Sequence, residues 1–185
     1  MDYNRTRLIA CAVVIEELLS FLPPGMSYQV LDFGLHLSPS KLNTSLQNAI
    51  DEASRKADTI LLGYGLCSMA VVGLKANNCT LVIPRVDDCI AIFLGSSRAY
   101  LQQFHSEPGT YYLTKGWLEV GDTPFQEYHC LVERYGKERA DHMMGLMLNN
   151  YSRLAYIDTG CKDRERYRRD ARQIASQFSL RFEEL

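Results

Sequence analysis

Five short aliphatic runs punctuate this chain: Leu8 to Val13, Tyr28 to Phe33, Thr59 to Leu62, Leu81 to Ile83 and Leu154 to Ile157. They are too continuous for half-exposed strands and suit strands covered on both faces, as in a parallel sheet. Helical patterns lie between them, over residues 14–21, 38–57, 89–105, 126–148 and 162–178. In the clearest, Ser38 can cap, Pro39 suits the first helical position, and Leu42, Leu46, Ala49, Ile50, Ala53 and Ala57 make one stripe. Gly136 permits a left-handed break in the fourth. Strands alternating with helices need right-handed crossovers, which predicts an α/β fold: a doubly wound, mostly parallel, Rossmann-like sheet flanked by helices. With 185 residues, 46% of them hydrophobic, the chain fills one core, so a single domain over residues 1–185 is expected. The stretch Glu107 to Pro124 interrupts the alternation. It predicts a strand at 110–113 and then a loop carrying the only Trp, Trp117.

The formal net charge of -2 gives no general attraction to nucleic acid or anionic lipid, since both rest on excess Lys and Arg. The run Lys162 to Arg172 mixes six basic with three acidic residues, the pattern of a solvated helix face. Glu16 and Glu17 close the first apolar run after about eight residues, too soon for a secretory signal, and nothing approaches the roughly 18 apolar residues of a membrane span. A cytoplasmic protein without nucleic-acid or membrane partners is expected.

A reducing compartment keeps the six cysteines as thiols and favours metal binding or catalysis over a disulfide frame. Cys79 and Cys130 read as small buried apolar residues. The others stand where chemistry is expected, because ligands of open α/β sheets bind at the carboxyl ends of the strands. Cys11 follows the first strand, FGLH with His36 the second, GYGLCS (Gly63 to Ser68) the third, PRVDDC (Pro84 to Cys89) the fourth and DTG (Asp158 to Gly160) the last. In GYGLCS two glycines around Tyr64 let backbone approach a ligand, and Cys67 is a candidate nucleophile or ligand. The phosphate-loop spacing is absent. In PRVDDC, Arg85 offers a fork of donors for a carboxylate or phosphate, while Asp87 and Asp88 can pair with it, cap the next helix or handle protons.

These segments resemble a known family of uncharacterised bacterial and archaeal proteins, the domain of unknown function 1638. The resemblance runs through LGYGLCSMAVVGLKA, LVIPRVDDCIAIFLGSSRAYLQQF, PGTYYLTKGWLE and YIDTG, in consistent order over most of residues 7–160. It implies a role near corrinoid-dependent methyl transfer, with a corrinoid protein or methyltransferase as partner. The chain departs from the family pattern at Asp87, where His is common, and at Ser68, where Gly is. The family also runs on past the position of Leu185 with a further strand and tail, so a C-terminal strand and tail are expected to be missing here.

Three readings stay open. In the first, Cys11, Cys67 and Cys89 bind zinc or an iron–sulfur cluster, since soft sulfur ligands select such centres, and Tyr64, Arg85 and Trp117 shape a substrate pocket. In the second, a metal-free enzyme uses Cys67 or Cys89 as nucleophile, with Arg85 holding a small anionic substrate and Asp87 or Asp88 as base or orienting group. The third is a non-catalytic module that binds a small molecule or a partner protein.

Overall fold

The computed structural model describes residues 3–66 and 69–185. The chain forms two compact units, residues 1–100 and 101–185, each with its own parallel sheet flanked by helices. The α/β class is the one that the strand–helix alternation predicts. Alternation does not specify which strands pair, and they pair in two sheets.

The first unit runs β1 (Thr6–Cys11), α1 (Ala12–Leu18), β2 (Ser27–Leu31), a short 3-10 turn (Phe33–Leu37), α2 (Pro39–Ala53), β3 (Thr59–Gly63), β4 (Thr80–Val82) and α3 (Cys89–Phe93). Its strands lie in the order β2-β1-β3-β4, all parallel. The first crossover goes from β1 to β2 on one side and the next returns to β3 on the other, so the order reverses between β1 and β3. β1 and β3 are the inner strands, and every residue of β1 except Arg7 is buried. The predicted stripe of α2 is buried as Leu42, Leu46, Ala49, Ile50 and Ala53, with Pro39 in its first turn. Ala57 is buried too, but in the turn after the helix, where its N–H still reaches the Ala53 carbonyl at 2.9 Å. Gly63 lets α1 come close: a Cβ there would stand 2.6 Å from the Ala10 Cβ and 3.1 Å from a Val14 methyl.

α4 (Ser97–Ser106) follows, and the second unit then contains β5 (Thr110–Leu113), α5 (Lys115–Glu119), α6 (Pro124–Tyr135), α7 (Lys137–Met147), β6 (Arg153–Tyr156), α8 (Arg164–Gln177) and β7 (Arg181–Glu184). The sheet order is β5-β6-β7, again parallel. Thr123 and Gln126 form a reciprocal capping box that starts α6, and Gly136, at φ +80°, separates α6 from α7 as the sequence predicts. The expected loop around Trp117 contains α5, capped by the Thr114 hydroxyl. β7 was not anticipated: RFEE is a half-exposed edge strand whose charged residues hide the strand pattern.

Inside this unit the buried Arg153 of β6 is fully engaged. It donates from Nε to the Thr110 hydroxyl of β5, from one terminal nitrogen to Glu183 of β7 and from the other to Gln103 of α4, each at 2.8 Å. One guanidinium thereby joins all three strands and a helix. Its hydrogen bond, reinforced by its charge, holds the Glu183 carboxyl below the ordinary carboxylate range against the opposing effect of burial, with Arg181 adding to the lowering. A depressed carboxylate contributes stability that is complete above its unfolded pKa and is lost as pH falls through the lower folded value. Arg153→Ala is expected to cost about 3–5 kcal/mol, because it strands partners of a buried ion. Urea unfolding of the variant should also show a weaker acid dependence below about pH 4.5 than the parent.

Candidate functional site at the carboxyl edge of the first sheet

Four of the five loops singled out in the sequence follow strands of the first sheet. DTG follows β6, so it lies on the carboxyl edge of the other sheet, where Asp158 accepts the Gly160 N–H at 2.9 Å and faces Arg164 at 3.7 Å.

Cys11 ends β1 one residue past the Ala10–Gly63 pair, so it stands beside the point where β3 becomes the glycine loop. It is 2% exposed. Burial pushes its thiol above the ordinary value, partly opposed by the Val14 and Val13 N–H groups at the start of α1. After β2, Asp32 closes the 3-10 turn by accepting the Gly34 N–H, and the turn carries His36. The His36 ring stacks on Tyr64 at 5.9 Å, which joins the loop after β2 to the loop after β3. Burial lowers its pKa, and its Nε2 is shielded from solvent with no hydrogen-bond partner among the described residues.

The loops after β3 and β4 meet backbone to backbone. The Leu66 N–H donates to the Val86 carbonyl at 2.9 Å. Gly65 sits so close to the other loop that a Cβ on it would lie 2.7 Å from the Asp88 nitrogen and 2.8 Å from both the Asp88 Cα and the Val86 oxygen. The glycine is therefore needed for close approach. Further along, Asn43 of α2 donates to the Ala70 and Val72 carbonyls, and Gln47 exchanges hydrogen bonds with the Lys75 backbone, so the returning chain is pinned to α2. Cys67 and Ser68, between these two anchors, lie outside the described residues.

In the loop after β4, Asp88 caps α3 by accepting the Ile90 N–H at 2.9 Å and the Ala91 N–H at 3.4 Å. Burial raises its pKa against those two hydrogen bonds. Cys89 is the first residue of α3 and is half-buried. Arg85 and Asp87 are exposed, and among the described residues the Arg85 guanidinium makes no ion pair with either aspartate. The rim thus offers a buried thiol, a half-buried thiol, a half-buried imidazole and an exposed guanidinium. Among the described residues, no group of three His, Cys, Asp or Glu side chains stands close enough to hold a metal ion.

Trp117 is not on this sheet. It belongs to α5 of the second unit, half-buried against that unit's core, with Gly121 packed on its ring. Cys130 is exposed on α6 rather than buried as its sequence context suggests, and Cys79 is only partly buried, 3.3 Å from the Ser54 hydroxyl.

The loops that meet at Gly65 and Asp88 are those through which the sequence resembles a known family, and a family model described as protein of unknown function (DUF1638) matches residues 30–185. The chain belongs to this family. No curated protein and no solved structure matches it. The DUF1638 match includes the glycine loop, PRVDDC and both sheets' later strands, while Cys11 and β1 precede it. The family match and the backbone contact therefore coincide on the loops after β3 and β4.

Gly65→Ala is expected to force the two backbones apart and destabilise the protein by about 1–3 kcal/mol, the usual cost of overpacking. Urea unfolding checks the stability. Cys89 should become more reactive toward a thiol reagent at the same time, whereas an exposed Cys130 should react as before.

Proposed function

We propose that the carboxyl edge of the first sheet is a thiolate site for a soft metal centre, zinc or an iron–sulfur cluster, with Cys11, Cys67 and Cys89 as ligands. The observation that carries this reading is the Gly65–Asp88 contact, which presses together the chain two residues before Cys67 and the residue before Cys89. Cys11 enters from the neighbouring strand. Sulfur donors select such ions over harder cations, and three of them leave one coordination position for a small molecule. Arg85 would hold the anionic end of that molecule, Tyr64 would form the wall behind it, and Asp87 would exchange protons with solvent. The partner in this reading is a corrinoid protein or a methyltransferase, which rests on the family resemblance alone.

A second reading is favoured by one observation, the exposed Arg85 guanidinium, with no ion pair among the described residues, on the loop that leads into Cys89. Here Cys67 or Cys89 is the nucleophile of a metal-free enzyme acting on a small anionic substrate, and Asp87 or Asp88 orients or deprotonates it.

Anaerobic purification followed by metal analysis and an absorbance spectrum separates the two. The first reading expects about one zinc ion, or up to about four iron atoms, per chain. Cys67→Ala and Cys89→Ala should each lose most of the metal, and Cys130→Ala should keep it. Full metal content in the Cys67→Ala, Cys89→Ala double variant would overturn the first reading. A metal-free chain in which Cys67 or Cys89 titrates well below about 8.5 would establish the second.

A further inference from the structure

A cleft of about 580 Å³ lies within the second unit, at the amino edge of its sheet, and shares no residue with the thiol loops. Its size falls in the range of about 300–1,000 Å³ typical of small-molecule sites. Met144 and Leu148 from α7, with Phe178 and Leu180 after α8, give it an apolar floor. The Phe178 ring meets the Tyr128 ring edge-on at 5.3 Å, which fixes its orientation.

The opposite end is polar. Asp141 accepts the Tyr128 hydroxyl on one oxygen and Lys137 on the other, each at 2.5 Å. Each carboxylate oxygen thus has a partner, and the Tyr128 proton is spent on one of them. The Lys137 ammonium has three N–H donors, of which Asp141 takes one and the Tyr128 side chain a second, so a cationic N–H donor is left at this end. Gly145 adds room, since a Cβ placed on it would meet nothing within 4 Å.

We propose that this cleft binds a small planar organic anion, an aromatic carboxylate or sulfonate, with its ring over the Phe178–Met144 floor and its acidic group on Lys137. The apolar floor selects the ring, and the spare ammonium N–H selects the charge.

Fluorescence titration of the full chain with 1-anilinonaphthalene-8-sulfonate, an aromatic sulfonate, tests this. One saturable site per chain is expected. Gly145→Leu projects from an exposed helical position where leucine favours the helix over glycine, so the fold should hold and its thermal midpoint should not fall. It should fill the cleft and weaken binding by about tenfold or more. Lys137→Met should weaken binding by about threefold and remove most of its salt dependence. The absence of saturable binding, or undiminished affinity in Gly145→Leu, would overturn the site. Unchanged affinity and salt dependence in Lys137→Met would overturn the anionic ligand class.

Discussion

Two loop backbones held against each other, with no side chain between them, organise the carboxyl edge of the first unit's sheet. Gly65 is what permits it. Any larger residue would place an atom inside the van der Waals distance of the Asp88 backbone and the Val86 carbonyl. The Leu66 to Val86 hydrogen bond then fixes the register of the two loops. Three consequences follow from this contact: the chain leading into Cys67 is set against the start of α3, Asp88 is positioned to cap that helix, and Arg85 is left facing solvent.

The thiols near this contact are chemically unequal. Cys11 is enclosed at the end of an inner strand, where low local dielectric disfavours the thiolate, and the two N–H groups of α1 only partly compensate. Cys89 is half-buried at a helix start. Burial therefore disfavours the Cys11 thiolate, whereas Cys89 is more open to solvent. His36, stacked on Tyr64, joins the loops after β2 and β3, and burial lowers the pKa of its imidazole.

Much of this was legible in the sequence, for identifiable reasons. Continuous aliphatic runs mark strands buried on both faces, so β1 and β3 were found to within two residues, and the stripe and first-turn Pro39 marked α2. The site loops were legible because strand ends in an open α/β sheet point to one edge, which holds for the loops after β1, β2, β3 and β4. Other features depend on tertiary placement. Nothing local says that β5, β6 and β7 make their own sheet, so DTG and Trp117 were grouped with residues of the other unit's sheet. β7 escaped notice because half of an edge strand faces water and its residues are charged. The cleft beside Gly145 depends on tertiary placement too: its walls come from α6, α7 and the end of α8, which are far apart in the sequence.

The second unit solves its own packing problem differently, by burying a charge and giving each of its three nitrogens a partner. Arg153 takes the centre of a three-stranded sheet, where an aliphatic residue would be the ordinary choice, and its three partners come from three different elements. The most direct test of the central claim, that the glycine loop and PRVDDC bring their thiols together, is reaction of the native chain with phenylarsine oxide, which forms a stable ring only with two neighbouring thiols. Peptide mapping of the adduct should find arsenic bridging Cys67 and Cys89. If those two cysteines emerge unbridged while the denatured chain takes up the reagent, the loops do not bring their sulfur atoms together and the thiolate site is wrong.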